Sequence, residues 1–206
     1  TEAVKKLLRN PSPGIRQRAL RIGAAVLSDE QLVSFIRDDA DDVARNAGLE
    51  ILKLRGGHSF ALAMNLLKDS DQDVVLQAIL ILDHLRDPRA FYALRTILKH
   101  ENTNLVQATL TAIGHLGNTS AIPDLIPFLK ADPWLQIAAV QALGDIRSTA
   151  AVRPLKELLP DMFLGSLAAE ALARIGGSKG FHALAEHWMK FHEKLEIETT
   201  LGLLGQ

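Results

Sequence analysis

Residues 135–146 read LQIAAVQALGDI, and their spacing decides the fold. Leu135, Ala139, Ala142, Leu143 and Ile146 stand at offsets 0, +4, +7, +8 and +11. At about 100° per residue those positions share one arc of a helix. The template recurs along the chain. Its first apolar residue is Ile15, Val43, Val74, Leu105, Leu135, Leu164 and Leu195, at intervals of 28, 31, 31, 30, 29 and 31 residues. Four residues on come Ala19, Ala47, Ala78, Thr109, Ala139, Ala168 and Thr199, all small enough for close helix approach. Eight residues on come Gly23, Ile51, Leu82, Ile113, Leu143, Leu172 and Leu203, apolar and large except for the glycine. Self-similarity at a period near 30 is the signature of a solenoid.

A first helix precedes the template in each copy. Two copies show it best, AIPDLIPFLK from Ala121 and AVRPLKELL from Ala151, with Leu125/Leu129 and Leu155/Leu159 each one turn apart. Polar breaks at 10–13, 38–42, 69–73, 100–104 and 131–133 divide first helix from second. Gly56-Gly57, Asp87-Pro88, Gly117-Asn118 and Gly176-Gly177 divide one copy from the next. Glycine ends a helix through the left-handed conformation, and proline cannot continue one. No stretch alternates as a strand would. The reading is an all-α superhelix of about seven helical hairpins. Their bounds are 1–28, 29–57, 58–87, 88–118, 119–148, 149–177 and 178–206.

The A-x-A-L-x-x-I-G pattern at Ala169 to Gly176 resembles the HEAT-like repeats, in the short form named after phycobilisome lyases. Ala112 to Gly117 and Ala142 to Ile146 fit the same form. The resemblance covers essentially the whole chain and is strongest from Val74 to Gly177. It implies an α-solenoid with first helices on the convex side and second helices on the concave side. It implies little about activity, since such repeats serve scaffolds, lyases, oxygenases and DNA-repair proteins.

Composition narrows the classes. A chain of 206 residues can bury a substantial core, which a solenoid spreads along its length. Hydrophobic residues make up 48%, but no run approaches the roughly 20 a membrane span needs. A net charge of −1 gives no global attraction to nucleic acid or anionic lipid. The absence of cysteine removes disulfide and thiolate chemistry and fits a cytoplasmic protein. Both ends look cut: helix-forming sequence opens the chain, and the apolar 201–206 closes it with no polar cap. The expectation is a piece of a longer protein, or a last repeat that packs on a partner.

Offsets +2 and +6 face away from the buried arc and supply the candidate contact surface. They hold Arg45 and Leu49, Leu76 and Leu80, Gln107 and Thr111, then Ile137 and Gln141. Apolar residues interleaved with amides suit a protein-binding face. The alternative is that neighbouring helices bury them. Arg21, Arg45 and Lys53 lie toward one end of this face; Asp145, Glu170, Glu196 and Glu198 lie toward the other. Such polarity would orient a bound segment, with Arg21 and Arg45 meeting its acidic part.

Other clusters carry less. The aspartates at 38, 39, 41 and 42, and Asp69, Asp71 and Asp73, lack the glycine and distal glutamate of a calcium loop and read as helix caps. His84 and His115 share offset +10, with no carboxylate placed to complete a metal site; His182, His187 and His192 are five apart, which is not one helix face. Trp134 stands at a helix start, where it either packs or touches a ligand at the groove edge. Residues 176–180, GGSKG, lack the frame of a phosphate loop and read as a turn.

The resemblance brings three enzyme readings. Deoxyhypusine hydroxylases hold iron with His-Glu pairs inside second helices, whereas His100-Glu101 and His192-Glu193 precede the anchors here. HEAT-like DNA glycosylases need a basic concave face with aromatics, which is missing. Bilin lyases offer no short motif to match, and their reading stays open, with a deep apolar pocket as its sign. The expectation is a non-enzymatic, cofactor-free scaffold that binds a protein or peptide. A bilin-lyase-like chromophore protein and a spacer arm in a larger assembly are the alternatives.

Overall fold

Helical periodicity and punctuation by polar caps set the elements of the computed structural model, which describes residues 2–37 and 42–204, with side chains described as far as Phe191. Every regular element among these residues is helical. The first unit, Thr1–Ala112, holds α1 (Glu2–Leu8), α2 (Pro13–Val26), α3 (Asp29–Ile36), α4 (Asp42–Arg55), α5 (Phe60–Leu66), α6 (Gln72–Leu85), α7 (Phe91–Ile97) and most of α8 (Thr103–Leu116). The second, Ile113–Gln206, holds the end of α8, then α9 (Ile122–Leu125) with the 3-10 helix Ile126–Lys130, α10 (Pro133–Asp145), α11 (Val152–Lys156), α12 (Gly165–Ile175) and α13 (Gly177–Leu204).

In the first unit α1 packs on α2, α3 on α4 and α5 on α6, while the second helices α2, α4 and α6 stack on one another. In the second unit α10 stacks on α12, α11 packs on α12, and α13 packs on both α11 and α12. This is an α-solenoid of helical hairpins, as the repeat implied.

Caps explain the boundaries. Ser28 and Gln31 form a capping box that starts α3. Asp71 accepts the amide of Asp73 at 2.9 Å, and Asp132 accepts those of Trp134 and Leu135 at 3.1 and 3.2 Å. Asp69 accepts the amide of Asp71, so this aspartate group caps as expected; aspartates 38, 39 and 41 lie outside the described residues. Second helices end at a residue of positive φ, Gly56, Arg86, Gly117, Arg147 and Gly176, with φ of 58°, 50°, 68°, 53° and 66°. The GGSKG stretch is not a turn as expected: only Gly176 lies between helices, and Gly177 to Gly180 are the first turn of α13.

These caps correct the register of the second repeat. Val74, Leu105, Leu135 and Leu164 each lie twelve residues before a cap of positive φ, and so does Ala44, not Val43. Val43 is 45% exposed and Ala44 is buried. The shift moves Leu49 from the outward offset +6 to +5, where Ile79, Leu110 and Val140 are also buried. Leu49 is therefore core. Ile15 is also exposed, on the terminal hairpin.

A second periodic position went unread in the sequence. Ser59, Ala90, Ala121, Ala151 and Gly180 are buried where each first-helix segment begins. The chain there crosses the end of the preceding second helix: Ser59 donates to the Leu52 carbonyl at 2.8 Å, and a Cβ on Gly180 would stand 2.7 Å from the Leu172 oxygen. Only small side chains fit.

The seventh repeat departs from the hairpin expectation. Residues 177–204 form one continuous helix. Between Gly180 and Gly202 no glycine, proline or asparagine interrupts the helix-forming sequence, so nothing turns the chain back.

Candidate functional site

The proposed contact residues separate by unit. In the first, Leu76 and Leu80 are half-buried one turn apart on α6; on α8 Gln107 is exposed and Thr111 is half-buried, its hydroxyl donating to the Gln107 carbonyl at 3.2 Å. Arg21 is exposed on α2. Arg45 is half-buried, 3.6 Å from the Asp42 carboxylate. In the second unit Ile137 is half-buried and Gln141 exposed on α10.

The expected charge polarity is weakened by local pairing. Lys53 bonds Glu50 at 2.9 Å. Asp145 accepts from Arg174 at 2.8 Å and faces His115 at 3.9 Å. These last three share offset +10 in successive repeats, so the ladder ties neighbouring second helices together. Glu170 is exposed, whereas Glu196 and Glu198 lie beyond the described side chains. Among the described residues no group of three or more His, Cys, Asp or Glu is arranged to hold a metal, and no helix is long and apolar enough to cross a membrane.

Two apolar cavities of the second unit flank the segment 161–164. The smaller, about 330 Å³, is lined by Pro133, Gln136, Ile137, Asp161, Phe163 and Leu164. It places Ile137 beside Phe163, which is 87% exposed. The larger is an open groove of about 750 Å³ between α12 and α13. Gly165, Ser166 and Ala169 form one wall; Phe181, Leu184, Trp188 and Phe191 form the other.

Asp161 belongs to both cavities. Its Oδ1 accepts the amides of Phe163 and Leu164, each at 2.8 Å, and so closes the turn that leads into α12. Those amide bonds, that of Leu164 first, hold its carboxyl below the usual aspartate range. The site therefore offers an ionised carboxylate among exposed aromatic surfaces. It can bind apolar matter, with Ser166 and His187 as further polar groups in the lining.

The sequence reading named Ile137 of the smaller cavity but missed Phe163 beside it, and it missed Phe181, Trp188 and Phe191 of the larger groove. One signal for Phe181 and Trp188 was available. They repeat, 29 residues on, the positions of Val152 and Leu159 in the preceding first helix.

A family model described as HEAT repeats matches residues 30–112, 60–134, 93–173 and 122–193 in overlapping registers. Among solved structures, an engineered protein is 19% identical over 84% of this chain and 95% of its own, at a TM-score of 0.52. A designed armadillo repeat protein in complex with the peptide (KR)4 is 17% identical over 84% of this chain and 98% of its own, also at 0.52. The complex of CpcE and CpcF of phycocyanin lyase from Nostoc sp. is 20% identical over 89% and 92%, at 0.48. At these identities the first two likenesses show the fold alone. No curated protein sequence matches the chain significantly.

Proposed function

Because the chain belongs to the HEAT-repeat family, we propose that it is a non-enzymatic scaffold that takes a segment of a protein partner on the outward face of its second helices. A stacked-hairpin fold suits this role, since a preformed surface loses little freedom on binding. The observation that carries the reading is the half-buried apolar character of Leu76, Leu80 and Ile137 at positions where a purely solvated face would hold charge. In the first unit Leu76 and Leu80 form the apolar contact, Gln107 and Thr111 the polar one, and Arg21 meets an acidic part; Arg45 leaves the face with the corrected register, which puts it at the offset of buried Val75 and Val106. In the second unit Ile137 and its cavity take an apolar side chain, with Gln141 beside it. Leu49 is excluded by its burial.

The test is affinity capture with the wild-type chain and with Leu80→Asp and Ile137→Asp variants, after circular dichroism shows that the variants keep their helix content. A protein captured by wild type and weakened about tenfold or more by either variant supports the face. Unchanged affinity in both variants overturns it.

A second reading, a small apolar ligand of the chromophore type, is favoured by the 750 Å³ groove, which is within the usual size range of ligand pockets. A coloured or extractable small molecule that co-purifies with the chain would carry that reading.

A further inference from the structure

We propose that the partner segment is basic where it meets the second unit: the smaller cavity takes one bulky apolar side chain, and Asp161 with Phe163 takes an arginine beside it. The inference rests on the scaffold reading above and gives that reading a partner chemistry.

The sequence builds the same device in two successive repeats. Asp132-Pro133-Trp134-Leu135 returns 29 residues on as Asp161-Met162-Phe163-Leu164. In both, the aspartate Oδ1 accepts the amides two and three residues on, and the leucine is buried. In both, the aromatic is exposed, Trp134 by 70% and Phe163 by 87%. The hairpin does not require a ring there, since the same place holds Gly14, Val43, Asp73 and Asn104 in the earlier repeats.

The carboxylate of Asp161 is oriented but has no cation. Two amides fix its Oδ1, whereas its Oδ2 takes no hydrogen bond or ion pair from the described residues. Asp69 and Asp87 differ in this respect, because they hold Arg37 and Arg89. Cations of the flanking helices are engaged elsewhere: Arg174 bonds Asp145, Lys156 bonds Glu186, and Arg153 lies 3.7 Å from Glu157. The amide bonds keep Asp161 ionised at neutral pH.

Together these features select the occupant. Pro133, Ile137 and Leu164 make apolar walls, and Gln136 donates its amide to the Leu129 carbonyl at 3.3 Å. A volume of about 330 Å³ is at the low end for ligand pockets and suits one side chain. An occupant that covered the ionised carboxylate without pairing it would bind at a cost. A guanidinium removes that cost by donating to Oδ2, and its flat face stacks on the Phe163 ring, which a lysine ammonium does less well. The walls come from the fifth and sixth repeats, with α13 following, so this is not a face left at the last described helix.

The probes are acetylated and amidated peptides: Gly-Leu-Arg-Gly, and three relatives with citrulline for arginine, glutamate for arginine, and glycine for leucine. Citrulline keeps the shape of arginine without its charge. Titrations are read from the backbone amide shifts of the isotope-labelled chain. The expected result is a saturable shift of the Ile137, Phe163 and Leu164 amides with the arginine peptide. Kd should rise about threefold or more with citrulline, further with glutamate, and likewise when leucine is lost. Asp161→Asn keeps the oxygen that accepts the two amides and should abolish the preference for arginine over citrulline, with unchanged thermal melting. Raised salt should shrink the same preference in the wild-type chain, a measurement that needs no variant. No saturable shift of these amides, equal Kd for arginine and citrulline, or a preference that survives Asp161→Asn overturns the proposal. So do shifts of the same amides that grow with protein concentration alone, which would give the cavity to a second copy. Capture weakened by Leu80→Asp or Ile137→Asp but unchanged by Asp161→Asn would leave the scaffold face standing and this inference overturned.

Discussion

Arg86 and Arg147 hold φ of 50° and 53° at the ends of α6 and α10, where three other repeats carry glycine. A side chain there costs about 1–2 kcal/mol against the following carbonyl. The amide of Arg86 bonds the Leu82 carbonyl, a contact the backbone keeps whatever the side chain. Arg86→Gly and Arg147→Gly should therefore each stabilise the chain by about 0.5–1 kcal/mol, less than the strain because glycine gains freedom when unfolded. Urea denaturation measures this; a loss of stability in both would contradict it. The reverse holds at Gly144. An alanine Cβ would stand 2.9 Å from both the Cα and Cβ of Ala171, so α10 and α12 would have to separate. Crowding of that kind costs about 1–3 kcal/mol, against about 1 kcal/mol gained by alanine in a helix. Gly144→Ala should lower stability, and Gly114→Ala, with its 2.6 Å approach, should lower it further. Gly14→Ala on α2 is the control: its Cβ would meet only the Ser12 hydroxyl oxygen, at 3.9 Å, and should not destabilise.

The helices of the third to sixth repeats were legible because hydrophobic period and end punctuation agree there. Val74, Leu105, Leu135 and Leu164 are all buried. The second repeat was misread by one residue because Val43 is the more apolar neighbour of Ala44. A solvent-facing valine beside a buried alanine defeats a pattern that ranks residues by hydrophobicity. Burial there follows the backbone rotation fixed by the Gly56 cap. The same error carried Leu49 onto the candidate surface. At α13 the template repeats in the sequence, but a template does not turn a chain. The turn needs a breaker, and 181–201 has none. The groove was illegible for a related reason. Phe181 and Trp188 have the residue types of a covered face, and only the missing cover distinguishes them from Val152 and Leu159. Short-range pattern reports which residues are apolar; whether another helix lies over them is a tertiary fact.

At the scale of the whole molecule four carboxylates, Asp69, Asp87, Asp161 and Glu186, share one sign of pH response. Asp69 accepts the amide of Asp71 and the Arg37 guanidinium, and both hold its carboxyl below the ordinary range. The Arg89 side chain and amide do the same for Asp87. Glu186 is lowered chiefly by its hydrogen bond to Lys156 from α11, and Asp161 by the amides of the turn that leads into α12. In each case the folded state favours the ionised form more than the unfolded chain does. That stability is fully present above the unfolded values, about 3.9 for Asp and 4.3 for Glu. It is lost as pH falls through the lower folded values. These groups should thus leave the melting temperature level from neutral pH to about 5 and lower it increasingly below about 4. Asp69 should dominate the first unit, because its side chain is only 8% exposed while the other three stand nearer solvent. Asp69→Asn should lower stability at neutral pH and flatten the acid limb of a melting-temperature profile. A profile with the same acid slope in wild type and variant would show that the fold draws no pH-dependent stability from this carboxylate.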